Sequence, residues 1–262
     1  MTLQVLVATM HQPRGNYSLL ERMNIQSDAI VCNQCDRNEF EEFVWKGHNI
    51  KWLSFAERGV GLNRNNALMR ATADILLFAD DDVIYEDDYP AMIISGFEQN
   101  KKADAIVFNM KESRHGEALH DRVKRTGRTN RKGLSSYATF LIAVKNIRVK
   151  ERNIVFHRMF GGGTEYSCGE DTIFLQECVK RGLRVYTSTI TIGKVYHGES
   201  TWYSGINDKY FVDKGVLYNY LYPRLSKVLC LYHVIKHRKM YNEYGLYNAV
   251  MQMWLGTKGK EK

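Results

Sequence analysis

Ala73-Asp74-Ile75-Leu76-Leu77-Phe78-Ala79-Asp80-Asp81-Asp82-Val83 is an apolar run that stops abruptly in three adjacent carboxylates. The run from Ile75 to Phe78 is short, unbroken and strand-prone, as a strand covered on both faces should be. Such a strand sits inside an open α/β sheet, and these sheets bind ligands beyond the carboxyl ends of their strands. The three acids therefore fall where a ligand is expected. Adjacent carboxylates repel one another and need a compensating cation. A hard divalent metal that also holds phosphate oxygens would supply it. A solvated acidic turn is the plainer reading of the same triplet.

On the amino-terminal side, residues 3–8 read as a strand leading into the loop Thr9-Met10-His11-Gln12-Pro13. Residues 17–23 form a short helix with Leu19, Leu20 and Met23 on one face. Residues 29–32 make a second strand, ending in the polar group Asn33-Gln34-Cys35-Asp36. Residues 43–53 read as an extended pair about Lys46-Gly47-His48, or as one strand with a lead-in. Residues 61–73 are a helix, and the acidic strand follows at once. Beyond it come a helix over 88–99, with Met92, Ile93 and Phe97 inward, and a buried strand over 103–108. This alternation is the pattern of an α/β layer with a mostly parallel sheet flanked by helices.

The 111–133 segment breaks the pattern. It carries Arg114, Arg122, Lys124, Arg125, Arg128, Arg131 and Lys132 with little apolar periodicity. A long polar loop in a compact domain is functional or simply mobile, so both a solvated loop and a flap over an anionic ligand are open. Strand character resumes over 134–144. Gly161-Gly162-Gly163 allows close backbone approach or positive φ, but no Gly-Lys-Ser/Thr follows and the dinucleotide spacing is absent. Asp171 opens a helix over 172–181, as an N-cap or as a reactive carboxylate. A strand over 183–192 and the stretch 194–202 close the expected core. From Tyr210 the chain is helical, aromatic and basic, which suits an acidic membrane interface or ordinary helices with a solvated basic face. The expected division is a core domain over 1–205 and a helical extension over 206–262, with a frayed tail from Lys258.

Composition sets the outer bounds. The 262 residues are 44% hydrophobic with 3 prolines, enough for one large core plus an appendage. The net charge of +8 points to an anionic partner: nucleotide phosphates, nucleic acid or an acidic membrane. No stretch has the length of a membrane span, and the first residues do not read as a secretion signal. Five cysteines without a framework suggest a reduced, cytoplasmic protein. Cys32-Asn33-Gln34-Cys35 has redox or zinc spacing but no second pair, and two incidental thiols are expected.

Three stretches, in this order and strand-helix setting, resemble family 2 glycosyltransferases of the GT-A fold, the Rossmann-like nucleotide-diphospho-sugar transferase fold, of bacterial capsule or exopolysaccharide type. They are Glu57-Arg58-Gly59-Val60-Gly61-Leu62-Asn63-Arg64-Asn65-Asn66-Ala67-Leu68, then Leu77-Phe78-Ala79-Asp80-Asp81-Asp82, then Gly169-Glu170-Asp171-Thr172-Ile173-Phe174-Leu175. They are similar to the family's arginine-asparagine helix, its metal-binding Asp-x-Asp strand end and its Glu-Asp helix start. The resemblance covers about residues 3 to 205. The chain departs from it at Ala8-Thr9-Met10-His11, where Pro-Thr-Tyr-Asn is usual, and at Cys32-Asn33-Gln34-Cys35-Asp36, where Asp-Asp-Gly-Ser is usual.

The resemblance implies an inverting enzyme that moves a sugar from a nucleotide-diphosphate donor, a UDP-sugar first of all, to a glycan or lipid-linked oligosaccharide in surface polysaccharide synthesis. It implies Mn²⁺ or Mg²⁺ on Asp82, with Asp80 beside it near the ribose and Asp81 in support; His197 either completes the metal or phosphate site or is a plain packing or surface histidine. It implies Asp171 as general base, with Glu170 second, and Thr9, Asn33, Asp36, Arg58 and Arg64 at the nucleotide, Arg64 alternatively in an ion pair on its own helix. The expected partners are the donor, the acceptor and the inner membrane face, touched peripherally through the C-terminal helices, and no nucleic acid. Two rivals stand beside this reading. A sugar-nucleotide nucleotidyltransferase would need a basic glycine-rich loop that Thr9 to Gly15 lacks. A non-catalytic nucleic-acid binder would need stacking groups beside the 114–132 charges, and none is there.

Overall fold

The computed structural model describes residues 1–114, 117–134, 137–197 and 205–259. In chain order the strands are β1 (Leu3–Met10), β2 (Asp28–Gln34), β3 (Glu39–Trp45), β4 (His48–Phe55), β5 (Ile75–Asp80), β6 (Val83–Tyr85), β7 (Ala105–Arg114), β8 (His120–Asp121), β9 (Gly127–Arg128), β10 (Ile142–Lys145) and β11 (Val185–His197). The helices are α1 (Ser18–Arg22), α2 (Val60–Arg70), α3 (Tyr89–Gln99), α4 (Asn146–Glu151), α5 (Glu170–Lys180), α6 (Asp208–Leu221), α7 (Ser226–Lys236) and α8 (Leu246–Thr257). Among the described residues the strands form one sheet, ordered β3-β4-β2-β1-β5-β10-β7-β11-β6, with β8 beside β7 and β9 beside β11.

The unbroken apolar runs become the central strands. Val5, Leu6, Val7, Ile30, Val31, Leu76 and Leu77 are all buried. Strands β4, β2, β1 and β5 are parallel, so their carboxyl ends open on the same edge. The expected parallel layer is found across this half. The other half is mixed: β10 runs antiparallel between β5 and β7, and β11 pairs parallel with β7 but antiparallel with β6. The expected strand over 134–144 contracts to β10, since 139–141 form a tight 3-10 turn with Phe140 and Leu141 buried. Residues 43–53 are an extended pair, β3 and β4, turned by Lys46 and Gly47 with φ of 47° and 85°. Two positive φ values in a two-residue loop match the twist of a hairpin.

The basic 111–133 segment is partly built into the sheet. It supplies the end of β7 and both β8 and β9. Arg122 pairs with the buried Glu112 at 2.8 Å, and Arg131 donates to Gln176 of α5 at 2.7 Å. Neither guanidinium is a free flap charge; Lys124, Arg125 and Arg128 are exposed. All five cysteines are free. Cys32 is buried in β2 and burial pushes its thiol up.

Helices α6, α7 and α8 close on a cluster of their own: Phe211, Cys230, Val234, Tyr241, Ala249 and Met253. A polar thread runs through it. The Tyr241 hydroxyl meets the Tyr210 hydroxyl at 2.9 Å and His233 Nε2 at 2.8 Å, and Tyr218 meets His233 Nδ1 at 3.0 Å. No helix among the described residues is long and apolar enough to cross a membrane. The expected close of the core at 198–202 and the tail at 260–262 lie outside the described residues.

Candidate active site

The carboxyl ends of β1, β2 and β5 bring the candidate residues together. Register aligns Ala8 with Asp80 and Thr9 with Asn33. The Thr9 hydroxyl donates to Asp81 at 2.5 Å, and Gln12 Nε2 donates to Thr9 Oγ1 at 2.9 Å. Asn33 is fully buried, accepting from the Gln12 backbone N–H at 3.0 Å and donating to the Gln12 carbonyl at 3.1 Å. Thr9 and Asn33 therefore lie beneath the surface and hold the 10–13 loop in place. Above them opens a cavity of about 430 Å³, walled by His11–Pro13, Cys35–Arg37 and Arg58. Asp36 and Arg58 are on its exposed wall, and Arg58 approaches His11 Nε2 at 3.4 Å.

Helix α2 turns polar side chains inward because they clamp neighbouring backbone. Asn63 donates to the Cys32 carbonyl at 2.8 Å. Asn65 bonds both backbone groups of Phe156, at 2.9 and 2.8 Å. Arg64 is 5% exposed and forks between two carboxylates, Asp80 of β5 at 2.6 Å and Glu170 of α5 at 3.1 Å. The ion pair on its own helix is not formed; the partners come from two other elements. A buried guanidinium needs such partners, and its planar fork suits two acceptors at once. Their charges hold it firmly protonated even though burial opposes this.

Helix α5 begins at Glu170, not after Asp171. Gly169, with φ of 109°, takes the N-cap, so Asp171 is a first-turn residue rather than the cap. Its Oδ1 accepts the Thr172 N–H at 2.7 Å. Burial, reinforced by the Glu170 charge, pushes its carboxyl up to about 7, against the pull of Thr172 and Arg64. Gly161, at φ of 106°, lies against Glu170: a Cβ there would stand 2.7 Å from the Glu170 carboxyl carbon. Phe174 of α5 stacks on Phe156 at 4.2 Å, and both meet Phe78 of β5 edge-on at 5.3 and 5.0 Å. This buried triad sets the α5 start against the β5 end.

Of the acidic triplet, Asp80 pairs with Arg64 and Asp81 accepts from the Thr9 hydroxyl; Asp82 stands exposed at the turn into β6. No group of three or more His, Cys, Asp or Glu among the described residues is arranged to cage a metal. An exposed oxygen donor beside a second carboxylate still fits an ion held by one or two carboxylates together with phosphate oxygens. His197 ends β11, paired with Arg114 in register; its side chain lies outside the described residues.

Sequence reasoning passed over Gln12, Arg37 and, above all, Asp213. Asp213 of α6 is 2% exposed and accepts Ser167 N–H at 2.9 Å, Ser167 Oγ–H at 2.7 Å and Lys209 Nζ at 2.7 Å. It fastens the loop before Glu170 to the C-terminal helices. Leu217 of α6 meets Phe160 and Ile173 in the same joint. The i,i+4 spacing of Lys209 and Asp213 resembles any solvated helix pair, so nothing in the sequence marks it. Asp213→Ala is expected to cost about 3 kcal/mol through lost charge-assisted hydrogen bonds, lowering the melting temperature by about 6–12 °C. A calorimetric scan checks this; a shift under 2 °C would show that the clamp carries no weight.

The candidate site lies across the carboxyl ends of parallel strands. The glycosyl transferase family 2 model matches residues 16–152, just over half of the chain, and the chain belongs to that family. No curated protein sequence matches significantly. Among solved structures the chain is similar to S. aureus TarS. Against TarS 1–349 in complex with UDP-GlcNAc the TM-score is 0.60 at 16% identity, over 83% of this chain and 66% of that one. Against TarS 1–349 alone it is 0.60 at 14% identity, over 99% and 92%. Against TarS 1–349 with UDP it is 0.59 at 15%, over 94% and 74%. The chain spans 39% of the longer TarS structure. At these identities the likeness is one of fold.

Proposed function

We propose that this glycosyltransferase moves a sugar with inversion from a UDP-sugar to a glycan or lipid-linked oligosaccharide of a bacterial surface polysaccharide. The observation that carries the reading is the Asp171 carboxyl. It is half-buried beside Glu170, Arg64 and Asp80, and its affinity for a proton is matched to neutral pH. The acceptor hydroxyl attacks the anomeric carbon as Asp171 takes its proton. The bond from that carbon to the diphosphate oxygen breaks, the nucleoside diphosphate leaves, and Asp171 returns the proton to solvent. Glu170 is held by Arg64 and orients the acceptor side.

The nucleoside lies in the cavity between His11, Asp36 and Arg58, on the floor that Thr9 and Asn33 support. Asp82, with Asp80 beside it, would hold Mn²⁺ or Mg²⁺, which when bound neutralises the departing diphosphate. That two TarS structures carry UDP or UDP-GlcNAc supports the choice of uridine.

Thermal melting with UDP, GDP, CDP and TDP, each with and without Mn²⁺, tests the donor site. UDP with Mn²⁺ at a hundredfold over its dissociation constant should stabilise by about 2.7 kcal/mol, a shift of about 5–10 °C. Asp82→Ala should remove the Mn²⁺-dependent part of the shift, read against the variant's own unliganded melting temperature. An unchanged metal-dependent shift in the variant would end the assignment of Asp82. Release of pyrophosphate rather than UDP during turnover would replace the transferase reading with that of a nucleotidyltransferase.

A further inference from the structure

We propose that the outward face of α7, continued by α8, is a docking surface for an anionic lipid bilayer, which seats the acceptor side of the site at a membrane. The proposal rests on the reading above that the acceptor is carried on a lipid.

At 100° per residue the side of α7 turned to its neighbours carries Ser226, Cys230 and Val234, all buried. The opposite side should be polar in a helix that faces water. It carries Val228, Leu231, Tyr232 and Ile235 instead, which are 65%, 42%, 60% and 53% exposed. Lys227 lies along one flank of this stripe and Lys236 along the other, both exposed. Apolar stripe, flanking lysines and an aromatic ring on one helix are the features of a helix lying in a bilayer interface.

Helix α8 extends the surface. Tyr247, Met251 and Leu255 recur every four residues and are 76%, 45% and 54% exposed. The Trp254 indole donates to the Lys227 carbonyl at 3.1 Å, tying the two helices into one face.

The charge decides the occupant. From residue 214 to 242 there is no Asp or Glu, while Arg224, Lys227, Lys236, Arg238 and Lys239 cluster on and around α7. A second copy of this chain would set like charges against like across the contact. An anionic bilayer complements them, each cation adding to the attraction near the surface.

Position links the face to the chemistry. Tyr220, at the end of α6 and four residues before Arg224, packs its ring against His157 and Phe160 at centroid distances of 5.0 and 5.5 Å. Gly161, the next residue, abuts Glu170. The end of α6, from which the chain runs through Arg224 into α7, thus touches the loop beside the proposed acceptor site.

The test is co-sedimentation of the whole protein with vesicles of phosphatidylcholine alone or with 30% phosphatidylglycerol, at about 50 and 500 mM salt. Binding is expected to the anionic vesicles only, and to fall at least about tenfold at the higher salt. Val228→Glu with Ile235→Glu should abolish it. Both positions are exposed, so the melting temperature and the UDP-dependent shift should not change. Lys227→Glu with Lys236→Glu should weaken binding by about tenfold or more. No binding by the native protein, or binding indifferent to these substitutions, would overturn the proposal. So would a native dimer that Val228→Glu with Ile235→Glu turns to monomer, since the face would then belong to self-association. A UDP shift without vesicle binding leaves the donor site standing and removes only the membrane. Vesicle binding without a UDP shift does the reverse.

Discussion

Asp171→Asn should lower sugar transfer by about 10²–10⁴-fold, the contribution of a positioned general base, and leave UDP binding within about twofold. The amide keeps the shape and can still accept the Thr172 N–H, but it cannot take a proton from the acceptor. The cavity lined by His11, Asp36 and Arg58, where the nucleoside is proposed to bind, does not include it.

The same variant should be more stable than the native enzyme at alkaline pH. The Asp171 carboxyl lies near 7 when folded and near 3.9 in an unfolded chain. Between those values the folded protein holds a proton that the unfolded chain has lost. Stability attributable to this group therefore falls as pH rises from about 4 to about 7, and the full penalty is present above 7. At pH 8 Asp171→Asn should melt at least about 2–4 °C above the native protein, the effect of about 1 kcal/mol. The gap should close toward pH 4. Native transfer should rise with pH up to about 7 and then level off. Transfer by the variant within tenfold of native, or a variant that melts lower at pH 8, would falsify the assignment.

The second large effect belongs to Arg64. Arg64→Met leaves Asp80 and Glu170 without their shared buried cation, and losing one partner of such an arrangement costs about 3–5 kcal/mol. The melting temperature should drop by about 10 °C or more. Arg64→Lys keeps the charge but not the fork, and should fall between the two. Arg64 also draws the Asp171 carboxyl downward. Arg64→Met, which removes that charge, should shift the rising limb of the pH-activity profile to higher pH, and Arg64→Lys should move it less. A calorimetric series with pH-rate profiles reads both effects. An Arg64→Met protein as stable as the native one would mean that the bridge is not a support of the fold.

Much of the frame was legible in the chain. Strands β1, β2 and β5 could be read to within a few residues, because a strand buried on both faces is an apolar run, and that signal is local. Helices α2, α3 and α5 were found from periodicity, though α5 starts at Glu170, two residues before the expected 172, just after a glycine whose positive φ the sequence does not display. Strand β10 was overextended, since 139–141 are as apolar as a strand but fold as a tight turn. Its antiparallel insertion between β5 and β7 was invisible, because pairing order depends on contacts between distant segments.

The chemistry divides in the same way. By itself the sequence determined which residues are available: an apolar strand ending in three acids, an Arg-Asn helix, a Glu-Asp helix start, and a C-terminal stretch with aromatics and cations. These are patterns over a few neighbouring positions. The tertiary structure alone decided what they do to one another. It joined Arg64 to Glu170, 106 residues away, and placed Asp171 where burial and neighbouring charge hold a proton near neutral pH. It buried Thr9 and Asn33 off the wall of the cavity at His11 and Arg58, and used Asp213 to fasten the loop before Glu170. Ion pairing, burial and proton affinity depend on distances through space. The sequence records only distances along the chain, and folding relates the two.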